Sequence, residues 1–320
     1  MKKLVVSLAL LLSAAAAALA ETDAYPSRPI HVILAVSVGG TSDIFVRALG
    51  LELQKRLGQP IIVENRSGGN MNIAGRACAD AAPDGYTICL LPSETLALNQ
   101  FIYKSMPFDA EKDFVPITNA FLNTQVMVVS ATLGVKNLDG LARLSKEKPG
   151  TLAYSALSVP LQIAVEEWKK KSSADLVYVP VRGGADMVNS LLTGTTPVAI
   201  VGLPNFIPYI RNGQVIPIAV DTDSRSPLFP DVPTLQELGF PKLPSVYFSF
   251  VAPSGVPNEI IRKLHDEIAA VGNDPDFLRR QLTDIGLVPV FDTPEHLAAF
   301  LKEQRAIDSK LIQESGFEPR

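Results

Sequence analysis

Residues 30–49, reading IHVILAVSVGGTSDIFVRAL, constrain the fold more than any other stretch. An apolar run from Ile30 to Val38, broken only by His31 and Ser37, meets Gly39 and Gly40. The run is short and rich in β-branched residues, which favours a buried strand over a helix. The glycines permit positive φ and close backbone approach, Ser42 or Asp43 can cap the next helix, and a helical pattern begins at Ile44. A strand feeding a helix through such a turn leaves free N–H groups at the carboxyl edge of a sheet, where open α/β folds bind anions. Two readings stand for Gly39, Gly40, Thr41, Ser42 and Asp43: a carboxylate-binding turn, or an ordinary βα turn.

The same grammar returns along the chain. A strand at 61–63 ends in Glu64, Asn65, Arg66, Ser67, Gly68, Gly69 and Asn70, and a helix over 72–81 opens with Asn72. After the Pro83-Asp84-Gly85 turn, a strand over 86–91 ends in Pro92, Ser93, Glu94 and Thr95. Three successive βα units predict a parallel, doubly wound sheet with a ligand crevice along its carboxyl edge. Residues 108–114 read as a surface connection, and a strand at 126–129 as the crossing into a second domain. There, strands at 152–154, 176–179, 198–201 and 216–220 alternate with helical patterns. Their polar ends supply Ser155, Ser158 and Gln162, then Val181, Arg182, Gly183 and Gly184, then Asn205. A proline-rich segment over 227–241 returns the chain, through a strand at 246–251, to three closing helices. The expected organisation is 21–125 for the first lobe, 126–246 for the second and 247–320 for the return. Two α/β domains, two crossings and facing crevices describe a hinged binding protein.

The N-terminus stands apart from this pattern. Lys2 and Lys3, an apolar run over 4–12 and the Ala18-Leu19-Ala20 site predict a signal peptide over 1–20, cleaved near Ala20, and hence a periplasmic protein. Without those two lysines the formal charge of −4 becomes −6. An acidic chain with no basic run argues against nucleic acid and against an anionic membrane surface. Its only cysteines, Cys78 and Cys89, fall in a helical pattern and a strand pattern; two buried free thiols are preferred over one bridge.

Catalysis finds no support. The three histidines, His31, His265 and His296, lie far from any nucleophile motif, the last two on faces expected to be solvated. There is no G-x-S-x-G elbow, H-E-x-x-H or phosphate loop, so Ser42 and Asp43 read as a capping pair rather than part of a hydrolase. No catalytic residue, cofactor or metal is expected. Arg66 and Arg182 are the cations nearest the crevice; Arg182 either pairs with a distal carboxylate or faces solvent. Trp168 reads as ordinary packing.

Taken in order, these pieces resemble the Bug family, the TctC-like periplasmic receptors of tripartite tricarboxylate transporters. The resemblance rests on Tyr25-Pro26-Ser27-Arg28-Pro29-Ile30, Gly39-Gly40 with Asp43, Leu57-Gly58-Gln59-Pro60 and Val63-Glu64-Asn65-Arg66 with Gly68. It continues through Ala82-Pro83-Asp84-Gly85-Tyr86-Thr87, Arg182-Gly183-Gly184-Ala185, Asp231-Val232-Pro233-Thr234 and Ala252-Pro253 with Gly255. It implies a two-lobed periplasmic-binding-protein fold of the type II, Venus-flytrap kind, each lobe a doubly wound α/β sheet flanked by helices. It also implies a receptor closing on a small organic acid for the membrane subunits of such a transporter; the chain is expected to be a monomer and the acid aromatic or dicarboxylic. A sensor docking on a signalling receptor is the alternative. The family's pattern is altered at Ala35 and Val36, at Asn70 and Met71, at Gln162 where histidine is common, and at Pro197 where aspartate is common.

Overall fold

The computed structural model describes residues 25–181 and 183–319; the expected leader and Arg182 lie outside the described residues. β1 (Ile30–Leu34) turns into α1 (Thr41–Leu57), and β2 (Ile61–Asn65), α2 (Asn72–Ala79) and β3 (Thr87–Pro92) come next. A π-helical turn (Glu94–Leu98) and the short α3 (Asn99–Ile102) lead to β4 (Phe114–Asn123), and the chain crosses at Thr124 into β5 (Gln125–Ser130). The second unit contains α4 (Leu138–Glu147), β6 (Ala153–Ala156), α5 (Val159–Ser172), β7 (Val177–Tyr178) and α6 (Gly184–Leu192). β8 (Val198–Gly202), α7 (Ile207–Arg211) and β9 (Val215–Val220) close that unit. Residues 221–246 cross back to β10 (Tyr247–Pro253), and α8 (Asn258–Gly272), α9 (Pro275–Gln281), β11 (Leu287–Pro289) and α10 (Pro294–Ser315) complete the chain.

The first sheet has the order β11-β4-β10-β3-β1-β2 and the second β7-β6-β8-β5-β9. β1 is parallel to β2 and β3, with Leu34 opposite both Asn65 and Leu90, so three strands end at one edge. β4 runs with β3, since both are antiparallel to β10, and Asn123 therefore reaches the same edge. In the second sheet β6 is parallel to β7 and β8, and Gln125 at the start of β5 pairs with Gly202 at the end of β8. The carboxyl edges of the two sheets thus face each other across the crossing. The crossing segments are tied together: Asn123 N–H donates to the Val246 carbonyl (2.8 Å), and Gln125 N–H to Asp221 Oδ1 (2.7 Å).

Side-chain alternation builds the cores. Ile30, Val32 and Leu34 point to one face, where α1 brings Phe45 and Leu49 and α8 brings Leu264 and Ile268. Ile33 points to the other, onto Ala74 and Cys78 of α2 and Leu297 and Leu301 of α10. Each such Leu, Ile or Phe contributes roughly 1.5–3 kcal/mol on burial. The second sheet is covered likewise, by α4 and α5 on one face and by Met187 and Leu191 of α6 on the other.

Five local expectations are corrected. β1 stops at Leu34 rather than Val38, because residues 35–40 form the turn and Val38 is 74% exposed. α1 starts at Thr41, three residues early, with Gly40 as N-cap and no capping bond from Ser42 or Asp43. The connection expected over 108–114 ends one residue early, at Phe114, which opens β4, an unanticipated central strand whose apolar pattern is broken by Pro116 and by the buried Thr118 and Asn119. Asp292 satisfies these polar groups, accepting from Asn119 N–H (2.7 Å) and Nδ2–H (2.8 Å), while its carbonyl accepts from the Thr118 hydroxyl (2.7 Å). Cys78 and Cys89 form a disulfide, not two free thiols, because the Pro83-Asp84-Gly85 turn folds β3 back against α2 and brings their Cα atoms to 6.2 Å. His265 departs from a solvated face, since its ring is mostly buried and Nε2 lies 3.1 Å from the Asp292 carbonyl oxygen.

Candidate functional site

The turn after β1 is held by Asp43. Its Oδ2 accepts from Gly39 N–H (2.9 Å), and its Oδ1 accepts from Arg47 Nε–H (3.0 Å) and Asn65 Nδ2–H (3.0 Å). Asn65 also reaches back to the Val36 carbonyl (3.0 Å). Burial of Asp43 opposes its ionisation, but the Arg47, Gly39 and Asn65 hydrogen bonds and the Arg47 charge outweigh it and hold the carboxyl below its ordinary range. Both oxygens are engaged within the turn, so Asp43 shapes the loop. Gly39 adopts φ +80°, a left-handed conformation that favours glycine. The turn runs into the first turn of α1, whose N–H groups lie at the positive end of a 17-residue helix; Thr41 there is half-buried and Ser42 buried.

The turn after β2 is the most strained stretch of backbone. Gly68, Gly69, Asn70 and Met71 all have positive φ, two of them without the freedom of glycine. A buried residue outside the expected set, Asn99, holds them. Asn99 Nδ2–H donates to the Asn70 carbonyl (3.0 Å) and to Asn72 Oδ1 (2.7 Å), and Asn99 Oδ1 accepts from Asn70 Nδ2–H (3.0 Å). A single asparagine inside an apolar helical run was the only trace of this role in the sequence. Ser67 is exposed, and Arg66 pairs with Glu64 (3.1 Å) at half exposure rather than projecting alone.

After β3, Ser93 serves the crossing: its hydroxyl donates to the Ser245 carbonyl (3.2 Å) and accepts from Tyr247 N–H (3.1 Å). Thr95 is buried and its hydroxyl has no hydrogen-bond partner. Opposite, Ser155 is spent on the Val179 carbonyl (2.7 Å), while Ser158 stands as N-cap of α5 with its hydroxyl enclosed beside the Glu94 carboxyl. Gln162 lies half-buried in the first turn of α5. Val181, Gly183 and Gly184 lead into α6, where Gly184 packs so close to Asn205 that a Cβ would lie 2.5 Å from its Oδ1. Asn205 itself donates to the Gly202 carbonyl (2.8 Å). The starts of α1, α5 and α6 thus converge on one cleft. Beside it, Leu98 and Ile102 of the first lobe and Ile312 pack on Val159 of the second.

Three carboxyls are perturbed by burial. Burial pushes Glu94 up to about 7, the Ser158 hydroxyl opposing, and burial likewise pushes Asp221 and Asp308 up to about 7, with the Glu94 charge adding to both. Sequence reading named Glu94 only as one of the polar residues after the third strand and passed over Asp221 and Asp308, because no motif marks them. The described residues hold no group of three or more His, Cys, Asp or Glu arranged to bind a metal ion.

Two facing α/β lobes with helix N-termini directed into the cleft define a periplasmic-binding-protein fold, and the comparisons agree. A structure described as a periplasmic transporter superposes with a TM-score of 0.84 at 31% identity, covering 93% of this chain and all of that one. Periplasmic binding protein BugD gives 0.83 at 25% identity, covering 92% and 100%. MatC from Rhodopseudomonas palustris, solved with bound malate, gives 0.80 at 25% identity, covering 90% and 100%. Residues 45–317 match the tripartite tricarboxylate transporter family receptor, and Protein BugT of Bordetella pertussis is 31% identical over 308 residues, 95% of this chain and 94% of the relative. The chain belongs to this family of solute receptors, and it is a binding protein rather than an enzyme.

Proposed function

We propose that this receptor captures a small organic acid in the periplasm, closes its two lobes around it and delivers it to the membrane subunits of a tripartite tricarboxylate-type transporter. The carrying observation is that the helices α1, α5 and α6 start at the facing strand ends with no side-chain cap on their first turns, the arrangement by which helix N-termini receive a negative charge. One carboxylate is received by Gly40, Thr41 and Ser42 together with the turn of Gly68, Gly69 and Asn70. The second lobe contributes Ser158, Gln162 and the backbone from Val181 to Gly184. Contacts from both lobes make the ligand prefer the closed form, which is what drives closure. The malate found in MatC, and the adipate in a further R. palustris relative (27% identity, TM-score 0.83), support an acid as the ligand class. Residues 1–20 act as the export signal, residues 126–246 form the second lobe, and the crossings at Thr124 and at Val246 form the hinge. Mass spectrometry of the acid released from freshly purified protein, and then calorimetry with that acid, tests the reading. A tightly bound carboxylate is expected; protein that carries none and is stabilised by none would overturn it.

A further inference from the structure

The first turns of α5 are apolar on two sides. Leu161, Ala164 and Val165, spaced as one helical stripe, are buried in the core that covers the second sheet, and Trp168 packs against it. Val159 and Ile163 fall on the opposite side of the same helix, where a lone lobe would meet solvent. Val159 is nonetheless only 5% exposed, because the first lobe covers it. It shares one apolar cluster with Leu98, Ile102 and Ile312, and Ile163 packs against that cluster. Farther along α5 the same outer side carries Glu166, Glu167 and Lys170, so its apolar part is confined to the turns that the first lobe reaches. The end of the chain supplies the other half of the contact. Ile312 is in the last turn of α10, and Gly316, at φ +67°, stops the helix so that Phe317 also packs against the cluster. Ser315 pins this ending: its hydroxyl donates to the Ile312 carbonyl (2.9 Å) and accepts from Phe317 N–H (3.2 Å).

We propose that Ile312 and Phe317 latch the first lobe onto Val159 and Ile163, and that these four are positioning residues for capture. They act through α5, holding its start, with Ser158 and Gln162, against the turns of the first lobe. The inference rests on the carboxylate-receptor reading above and assigns what retains the acid once it is bound. Parting the lobes carries α5 away and returns these apolar side chains to water, which opposes opening. The latch therefore favours the closed form with or without an acid, and apparent affinity follows the population of the binding-competent state. An acid enters the open form and leaves only after the lobes part, so the latch acts on the dissociation rate far more than on the association rate.

Ile163→Ser and Phe317→Ala, one on each side of the contact, test it in the mature protein. Small-angle X-ray scattering of the acid-free protein is expected to give a larger radius of gyration for both variants. Stopped-flow kinetics with malate, adipate and benzoate as probes should show dissociation about tenfold faster in each variant and association no slower. The double variant should be little worse than either single one, because both changes break one contact. Urea midpoints should move little, since both side chains lie between the lobes rather than inside one. Unchanged dissociation rates, or an affinity loss that only tracks the urea midpoint, would overturn the latch while leaving an acid receptor intact. If none of the three probes binds and no carboxylate is recovered from the purified protein, the receptor reading falls, and the latch's part in capture with it.

Discussion

Replacing Asp308 by asparagine removes one buried charge and almost nothing else. The side chain is 1% exposed, and its only hydrogen bond among the described residues is the one Oδ1 accepts from Gln304 Nε2–H (3.1 Å), which the amide oxygen of asparagine can still accept. Burial, with the Glu94 charge adding to it, lifts this carboxyl from 3.8 to about 7. At 1.36 kcal/mol for each pH unit, that corresponds to ~4 kcal/mol by which the fold disfavours the ionised form. The native state holds its proton where the unfolded chain has released it, so stability from this group falls as pH rises from about 4 to about 7 and stays low above. Asp308→Asn should therefore stabilise the protein by about 2–4 kcal/mol at pH 8 and by only about 1 kcal/mol at pH 4.5. Urea unfolding of both proteins at the two pH values, at unchanged m, reads the difference. If the variant were destabilised equally at both pH values, the carboxyl would be ionised and stabilising in the fold, and the reasoning would be wrong.

Other outcomes hang on single contacts. Asp43→Ala should cost about 3 kcal/mol at pH 7, since it strands Arg47 and Asn65 and frees Gly39, and should weaken acid binding more than tenfold by calorimetry. Asp43 has a depressed pKa, so its contribution is complete above about pH 4 and disappears as acid protonates it; the cost of Asp43→Ala should shrink below pH 3 in the same unfolding assay. Asn99→Ala should cost about 2–3 kcal/mol and weaken binding, because three hydrogen bonds hold the left-handed Asn70 and Met71, while a surface control such as Gln313→Ala should do neither. Replacing both Cys78 and Cys89 by alanine opens an 11-residue separation and should lower stability by about 3 kcal/mol in urea unfolding, with reductant then having no further effect.

Much of the architecture was legible because it is written locally. The β-branched runs, glycine turns and helical spacing around residues 30–49 and 61–81 mark strand, turn and helix within a few residues of each other. The second lobe repeats that grammar, so its presence could be read without knowing any contact. β4 escaped because Pro116, Thr118 and Asn119 spoil its alternation, and the Asp292 that satisfies them lies far along the chain. The disulfide escaped for a related reason. Two cysteines in a helix and a strand say nothing of distance until the turn between them has folded.

The sequence alone determined that the chain would make two α/β lobes with polar turns at the ends of their strands, because hydrophobic period and glycine position are local properties. It did not determine what those turns would do. Asp43, which reads as a cap or a ligand contact, is consumed inside its own loop, and Ser93 and Ser155 are consumed by neighbouring backbone. Asn99 holds the second turn from a helix that carries no signal of it. Glu94, Asp221 and Asp308 come from three separate stretches and acquire their character only where burial brings their charges together. Desolvation and charge proximity are properties of three-dimensional neighbours, and the folded chain alone supplies them.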